Sequence, residues 1–188
     1  MNLLLDRIAS PLGTILLVSD GTALRALDFE DYQDRMHRLL HRHYGGYTLT
    51  SGYCGARDQL ESYFAGDLAA LDTIAVQTAG TEFQHRVWSA LRAIPPGSTA
   101  SYGDIAARIG VPAARRAVGL ANGANPVAIV VPCHRVIGAD GRLTGYGGGL
   151  HRKSWLLRHE AAILRSSEPG ARTDHDPAPA SIAASPSR

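Results

Sequence analysis

The chain has 188 residues, 45% of them hydrophobic, with two cysteines and a formal net charge of +2. That is enough for one large domain or two small ones with a real core, and too few cysteines for a disulfide framework. No apolar run is long enough to span a bilayer, and the opening "MNLLLDRIASPLG" lacks a signal-peptide layout, so a cytoplasmic protein is expected, with no membrane as partner.

In chain order, residues 3–8 and 14–18 read as short strands around the turn "ASPLG", and "ALRALDF" (23–29) as a third. "DYQDRMHRLLHRHY" (31–44) is a helix opened by acids and closed by "GG", and "RDQLESYFAG" (57–66) a short helix stopped by Gly66. His37 and His41 lie one turn apart, with His43 close by, but no further ligand pattern accompanies them, so exposed helix histidines are the plainer reading and no metal is expected. "AVQTAG" (75–80) reads as a linker. "TEFQHRVWSALRAI" (81–94) carries Phe83, Val87, Trp88, Leu91 and Ile94 at helical spacing, with Thr81 placed to cap it and "PPG" to stop it. "SYGDIAARIG" (101–110) and "PAARRAVGLANG" (112–123) are two further helices. "VAIVV" (127–131) reads as a short buried strand, "GADGRLTGYGGG" (138–149) as a glycine-rich loop, and "LHRKSWLLRHEAAIL" (150–164) as the last helix. Beyond Arg165 the chain is rich in Ser, Pro and Ala without periodicity, which predicts a disordered tail over 166–188.

The charge is divided unevenly. Residues 1–80 hold six Lys/Arg against ten Asp/Glu, and residues 81–165 hold eleven against four. A basic second half fits a polyanion partner, and on charge alone it fits a solvated basic face equally well. The helices 101–110 and 112–123, joined by "GVP", read as a helix-turn-helix. Ala113, Ala114, Ala117, Gly119, Ala121 and Gly123 are small, and Arg115 and Arg116 are long and polar. A helix trimmed in this way can bring its backbone close to another surface, such as the minor groove, which is about 6 Å wide. The same composition also suits tight internal packing.

"AIVVPCHRVIG" (128–138) places a thiol beside an imidazole. Pro132 removes a backbone donor and ends the extended run. A buried thiol is ordinarily inert, because its thiolate is poorly solvated. His134 is adjacent, but neighbouring side chains in extended structure point to opposite faces. A turn at Cys133 or a bridging water is therefore needed for them to communicate. Glu160, within "RHE", is the natural acceptor to orient the imidazole. On spacing alone a Cys-His pair is a weak signal, and Cys133 reads more readily as a packed core cysteine and Glu160 as a surface ion pair.

"IVVPCHRVIG" resembles the active-site signature of the O6-alkylguanine-DNA alkyltransferases. The likeness runs through "GTEFQHRVWSALRAIPPGSTASYGDIAARIG", "RAVGLANGANP", "GYGGG" and "RKSWLLRHE", and is strongest to the stand-alone bacterial type. The resemblance implies an α+β fold: a ribonuclease H-like α/β domain over 1–76, then a mostly helical domain over 77–165 with the helix-turn-helix and the cysteine. It implies DNA repair by one irreversible transfer of an alkyl group from O6 of guanine, and from O4 of thymine, to Cys133. His134 would act as base through a water, Glu160 would hold His134, and Asn125 would order the turn at the site. Tyr102 would contact the target nucleotide and its phosphate and protonate the leaving guanine. Arg116 would fill the gap left by the extruded nucleotide, with Arg115, Ala117, Gly119 and Arg135 also at the DNA. Tyr146, Gly147, Gly148 and Val136 would line the alkylguanine pocket. The implied partner is double-stranded DNA carrying O6-alkylguanine, gripped through its minor groove by a monomer able to act cooperatively, with no cofactor.

The chemistry agrees with those parts. The reacting carbon is saturated, so an in-line displacement needs a thiolate and a leaving guanine but no oxyanion hole. O6 of guanine lies inside the stack, so the nucleotide must first leave the duplex. The thioether product offers no easy return to a thiol. The N-terminal half holds only Cys54, so the zinc site of some family members is not expected. Two other classes remain open at this level: a lesion-binding protein without transfer activity, which the presence of Cys133 disfavours, and a cysteine hydrolase with a Cys-His-Glu triad.

Overall fold

The computed structural model describes residues 1–167. Its N-terminal half is built on a four-stranded sheet of order β3-β2-β1-β4. β1 (Asn2–Ile8), β2 (Ile15–Ser19) and β3 (Leu24–Phe29) form an antiparallel meander, with Ile8 opposite Ile15 and Ile15 opposite Phe29. Strand alternation sorts the side chains onto two faces. Leu16, Val18 and Ala26 point to one face, where Met36 and Leu40 of α1 (Gln33–Tyr44) cover them. Ile15, Leu17, Leu27 and Phe29 point to the other and join the main core, which continues into Val87, Leu91, Ile105, Val118 and Leu156 of the second half. The sheet is thus buried on both sides, and this explains why β2 has no exposed residue.

The fourth strand, β4 (Thr48–Ser51), pairs parallel to β1 at the far edge. "TLTS" is short and mostly exposed, so it carries no alternation by which to recognise it. α2 (Ala56–Ala65) follows and ends on Gly66, whose φ of 114° supplies the left-handed cap.

The second half is mostly helical. α3 (Glu82–Arg92) starts at a reciprocal capping box between Thr81 and Gln84. Ser101 and Asp104 make a second box that opens α4 (Tyr102–Arg108), just after β5 (Ala100–Ser101). α5 (Arg115–Gly123) begins three residues later than its apolar spacing suggests, because 111–114 form a turn closed by Ala114 N–H to the Val111 carbonyl at 2.8 Å. β6 (Val136–Ile137) pairs with β5, and α6 (Leu150–Ser167) closes the described chain. Residues 168–188, most of the predicted tail, lie outside the described residues. Among the described residues, no helix is long and apolar enough to cross a membrane.

The apolar run 127–131 is not the strand expected from its composition. It is a buried turn in which the Val131 N–H donates to the Val127 carbonyl at 3.0 Å and Ile129 takes a φ of 68°. Two neighbours allow a turn to sit in the core by satisfying its backbone. The edge of β3 receives one bridge: Leu27 N–H to the Pro126 carbonyl at 2.9 Å and Ala128 N–H to the Leu27 carbonyl at 3.1 Å. The side chain of Asn125 serves the Val127 N–H and the Val131 carbonyl. The same edge of β3 is also met at Leu24 by 75–77, so the segment expected as a linker is itself tied to the sheet.

Arg152 of α6 locks the two halves. Its guanidinium lies 4.1 Å from the centre of the Phe29 ring and donates to the Leu12 carbonyl at 2.9 Å, to Asp31 at 3.0 Å and to the Gly148 carbonyl at 3.1 Å. Gly148 is pressed against the same Phe29 ring, and a Cβ there would collide with it. Phe29 is fully buried and has nowhere to retreat. Gly148→Ala is therefore expected to cost about 1–3 kcal/mol by overpacking, read as a lower urea midpoint at unchanged m-value.

Candidate active site

The turn at 127–131 delivers Pro132 into a single 3-10 turn, Cys133–Arg135. This places Cys133, His134 and Arg135 on different sides of one short turn rather than on the two faces of a strand. All three are buried, Cys133 at 5% exposure and His134 at 0%.

Asn125, fully buried, organises the turn. Its Oδ1 accepts the Val127 N–H at 3.0 Å, and its Nδ2 donates to the Val131 carbonyl at 2.9 Å and to Cys133 Sγ at 3.1 Å. Burial pushes the Cys133 thiol up from its ordinary value; the Asn125 donor and the positive charges of Arg35 and Lys153 pull it down, and Asp28 opposes them. Burial wins, so the resting sulfur is a thiol.

His134 Nε2 lies 3.0 Å from Glu160 Oε1, while His134 Nδ1 has no partner among the described residues. Glu160 is held on all sides. Arg135 donates from Nη2 to Oε1 at 2.8 Å and from Nε to Oε2 at 3.1 Å, and the Gly97 N–H donates to Oε2 at 3.0 Å. Burial pushes the Glu160 carboxyl up, but the hydrogen bonds from His134 and Arg135 outweigh it and hold it well below its ordinary value of 4.5. Burial conversely pushes His134 down from 6.5. One carboxylate charge is already balanced by Arg135, so a second cation here would be unpaired in the interior. Glu160 is thus ionised and His134 neutral, with the proton on Nε2 and the lone pair on Nδ1.

This overturns one expectation. Arg135 is not at the DNA surface: it is 5% exposed, paired with Glu160, and donates to the Ile94 carbonyl at 2.6 Å. A carboxylate this deep needs a permanent counter-charge, and Arg135 supplies it. Arg152 and Lys153 are interior as well, so three of the eleven basic residues of 81–165 add nothing to a basic face.

The outer face of α5 is exposed at Arg115, Arg116 and Ala117, while Val118, Ala121 and Asn122 face inward and Trp88 Nε1 donates to the Ala121 carbonyl at 2.9 Å. The small residues therefore serve both sides of the helix. Leu120 is 77% exposed on the outer face, a large apolar group that the small-residue pattern did not single out. Tyr102 is half-buried, with its hydroxyl 2.9 Å from Thr144 Oγ1. Tyr102, Arg115, Arg116 and Gly119 border a hollow of about 320 Å³ that Cys133 does not itself line.

Tyr146 packs against the core, and its hydroxyl has no partner among the described residues. Val136 is fully buried, and its carbonyl accepts from Lys153 Nζ at 2.5 Å. The space beside Gly147 is taken by Arg35, whose guanidinium would lie 2.8 Å from a Cβ there. Sequence reasoning missed Arg35, Tyr63 and Lys153. Arg35 pairs with Asp28 at 2.6 Å and donates to the Gly123 and Asn125 carbonyls at 2.9 Å each, and Lys153 also donates to the Thr144 carbonyl at 2.8 Å. Their partners, 7 to 97 residues away, follow no helix or strand period; only Lys153 falls inside a recognised motif, "RKSW". Among the described residues no three His, Cys, Asp or Glu converge as a metal site, and His37 instead bonds the Tyr47 hydroxyl at 2.6 Å.

A sheet half joined to a mostly helical half, with a buried Cys-Asn-His-Glu cluster, defines a two-part α+β protein built around one thiol. Two family models match: the ribonuclease-like domain of 6-O-methylguanine DNA methyltransferase over residues 5–78, and the DNA-binding domain of the same protein over 82–162. The chain is 54% identical over 169 residues to a methylated-DNA–protein-cysteine methyltransferase of Salmonella typhimurium, covering 87% of this chain and 99% of that one. A protein of the same name from Mycobacterium tuberculosis is 52% identical over 157 residues, covering 81% and 89%. The crystal structure of Mycobacterium tuberculosis O6-methylguanine methyltransferase superposes with a TM-score of 0.70 at 46% identity, covering 86% and 94%. That of Mycobacterium tuberculosis OGT in complex with DNA gives 0.72 at 46% identity, covering 85% and 94%. The chain belongs to the 6-O-methylguanine DNA methyltransferase family.

The charge state of the cluster sets an acid response. Glu160 has a depressed pKa in the fold, so its contribution is complete above its ordinary value and is lost as pH falls below it. His134, also depressed, lets the unfolded chain bind more protons below 6.5, which acts in the same direction. Glu160→Gln leaves Arg135 buried without a counter-charge and is expected to cost about 3–5 kcal/mol at pH 7, with a shallower further loss on acidification than the parent. Urea unfolding at pH 7 and pH 4 checks both.

Proposed function

We propose that this chain repairs DNA by taking the alkyl group of O6-alkylguanine onto Cys133, once per molecule. The observation that carries this is the geometry around one sulfur: a thiol held by Asn125 Nδ2, beside a neutral imidazole whose far nitrogen is pinned to an ionised carboxylate. Family membership supports the substrate class.

In this reading the free Nδ1 of His134 accepts the Cys133 proton through a bridging water. Glu160 holds Nε2–H and stabilises the imidazolium as it forms, and Arg135 keeps Glu160 ionised. Asn125 donates to the sulfur and so favours the developing thiolate over the thiol. Sγ then attacks the saturated carbon in line. The S–C bond forms as the C–O6 bond breaks, the electron pair leaves with guanine, and a proton returns to guanine, with Tyr102 as donor. The thioether cannot revert, so the protein is consumed; O4-alkylthymine would react in the same way.

The nucleotide must reach the sulfur of a residue that is only 5% exposed, and this requires it to leave the duplex. α5 would lie in the minor groove, with Ala117 and Gly119 permitting close approach, Arg115 meeting phosphate and Arg116 occupying the vacated position in the stack. Tyr146, Gly147, Gly148 and Val136 would then surround the base. The protein would act as a cytoplasmic monomer that needs no cofactor.

Labelled O6-methylguanine in duplex DNA is expected to pass its label to the protein in a stoichiometric burst with no further turnover. Cys133→Ala should abolish transfer while retaining DNA binding; continued turnover would favour a hydrolase, and binding without label a lesion-recognition protein. Arg116→Ala is expected to slow repair of duplex DNA at least tenfold more than reaction with O6-benzylguanine as the free base. Equal slowing of both would exclude a role in extrusion.

A further inference from the structure

Glu160 Oε1 carries one donor that the proton relay does not require. Tyr63 Oη, from α2 in the N-terminal half, donates to it at 3.0 Å across 97 residues of chain. Tyr63 has no exposed surface and is fixed at both ends. Its carbonyl accepts from His159 Nε2 at 3.0 Å, and its ring meets Phe64 and His159 edge-on at 5.4 and 5.3 Å. The hydroxyl thus reaches Oε1 because the backbone and ring are held by α6 and by its own helix. Burial, with the Glu160 charge beside it, pushes the Tyr63 phenol well above its ordinary value of 10, so it remains a donor wherever the protein is folded.

Oε1 receives Tyr63 Oη at 3.0 Å, His134 Nε2 at 3.0 Å and Arg135 Nη2 at 2.8 Å. Arg135 Nε, shared with Oε2, adds a longer contact to Oε1 at 3.2 Å. A carboxylate oxygen offers two lone-pair sites, so these donors compete for them. We infer that Tyr63 is a positioning residue for the relay: by sharing Oε1 with His134, it limits how strongly Glu160 holds the imidazole proton. The N-terminal half would in this way tune the base that serves Cys133. This rests on the alkyl-transfer reading above.

The groups facing the His134–Glu160 pair come from every side. Arg135 lies on the same turn, Tyr63 on α2, the Gly97 N–H on the loop after α3 and Lys153 on α6, with Cys133 adjacent in the chain. Arg135 and Lys153 oppose protonation of His134, and Glu160 favours it. Removing the Tyr63 donor leaves these charges in place and frees Oε1 for His134. The imidazolium is then better stabilised, so the pH at which His134 protonates rises.

Tyr63→Phe deletes one oxygen from the full-length protein. The acid limb of the rate of transfer from O6-benzylguanine to Cys133 is expected to move up by about half a pH unit, the size of one redistributed hydrogen bond. Site-specific 3-fluorotyrosine at position 63, a stronger donor of nearly the same shape, is expected to move it down, and it keeps the test open should the phenylalanine variant not fold. Opposite shifts support the positioning role. An unmoved limb in either folded variant, with only a changed Tm, overturns it and leaves Tyr63 as packing. If the parent protein transfers nothing to Cys133, the alkyl-transfer reading fails on its own, and NMR titration of His134 in the same variants still decides whether Tyr63 sets its protonation.

Discussion

Glu160 is an ionised carboxylate with no exposure to water, and the fold around it is arranged to make that tolerable. Isolated burial of such a charge costs several kcal/mol, so it persists only where paired and hydrogen-bonded. Four residues supply donors: Tyr63 from α2, Gly97 from the loop after α3, and His134 and Arg135 from the turn after Pro132. Each of those segments must be in place for the others to be satisfied. The carboxylate is therefore both the hub where the two halves meet and the device that fixes the His134 tautomer. Stability and chemistry depend on the same atoms, and this links acid unfolding to loss of the base.

The cysteine is handled in the opposite manner. Among the described residues no ion pair engages it. Burial holds Cys133 as a thiol, and Asn125 offers one donor to the sulfur while its other contacts close the 127–131 turn. A sulfur that is unreactive until a substrate reaches it suits a protein that acts once, because adventitious alkylation or oxidation would waste it. Cys54, also buried and also pushed up by burial, carries no such donor from a turn-closing asparagine and reads as core.

What could be read from the sequence follows from how local each signal is. The strands 3–8, 14–18 and 23–29 are legible as short runs about a turn, and the helix led by Thr81 through its apolar spacing and cap, all within a few positions. Cys133, His134 and Glu160 were legible through contiguous motifs. Residues 127–131 differ from the expected strand because five apolar residues have no period that separates a buried strand from a buried turn; what decides it is the hydrogen bonding of the Asn125 side chain just outside the run and of the distant β3 edge at Leu27. Arg135 is expected at the DNA only through the resemblance; its interior position follows from a carboxylate 25 residues later, which its own sequence neighbourhood does not show. Tyr63, Arg35 and Arg152 reach partners 88 to 140 residues away, and no local pattern encodes such contacts.

The most direct test of this account is the protonation state of His134 itself. Nitrogen-15 NMR of histidine-labelled protein, with the His134 resonances assigned by a His134→Gln variant, reports both its charge and its tautomer at pH 7. The expected result is a neutral ring with the proton on Nε2, bonded to Glu160, and an unprotonated Nδ1 that titrates below 6.5. An imidazolium at pH 7, or a neutral ring carrying its proton on Nδ1, would contradict the account, because Nδ1 would then have no lone pair with which to take a proton.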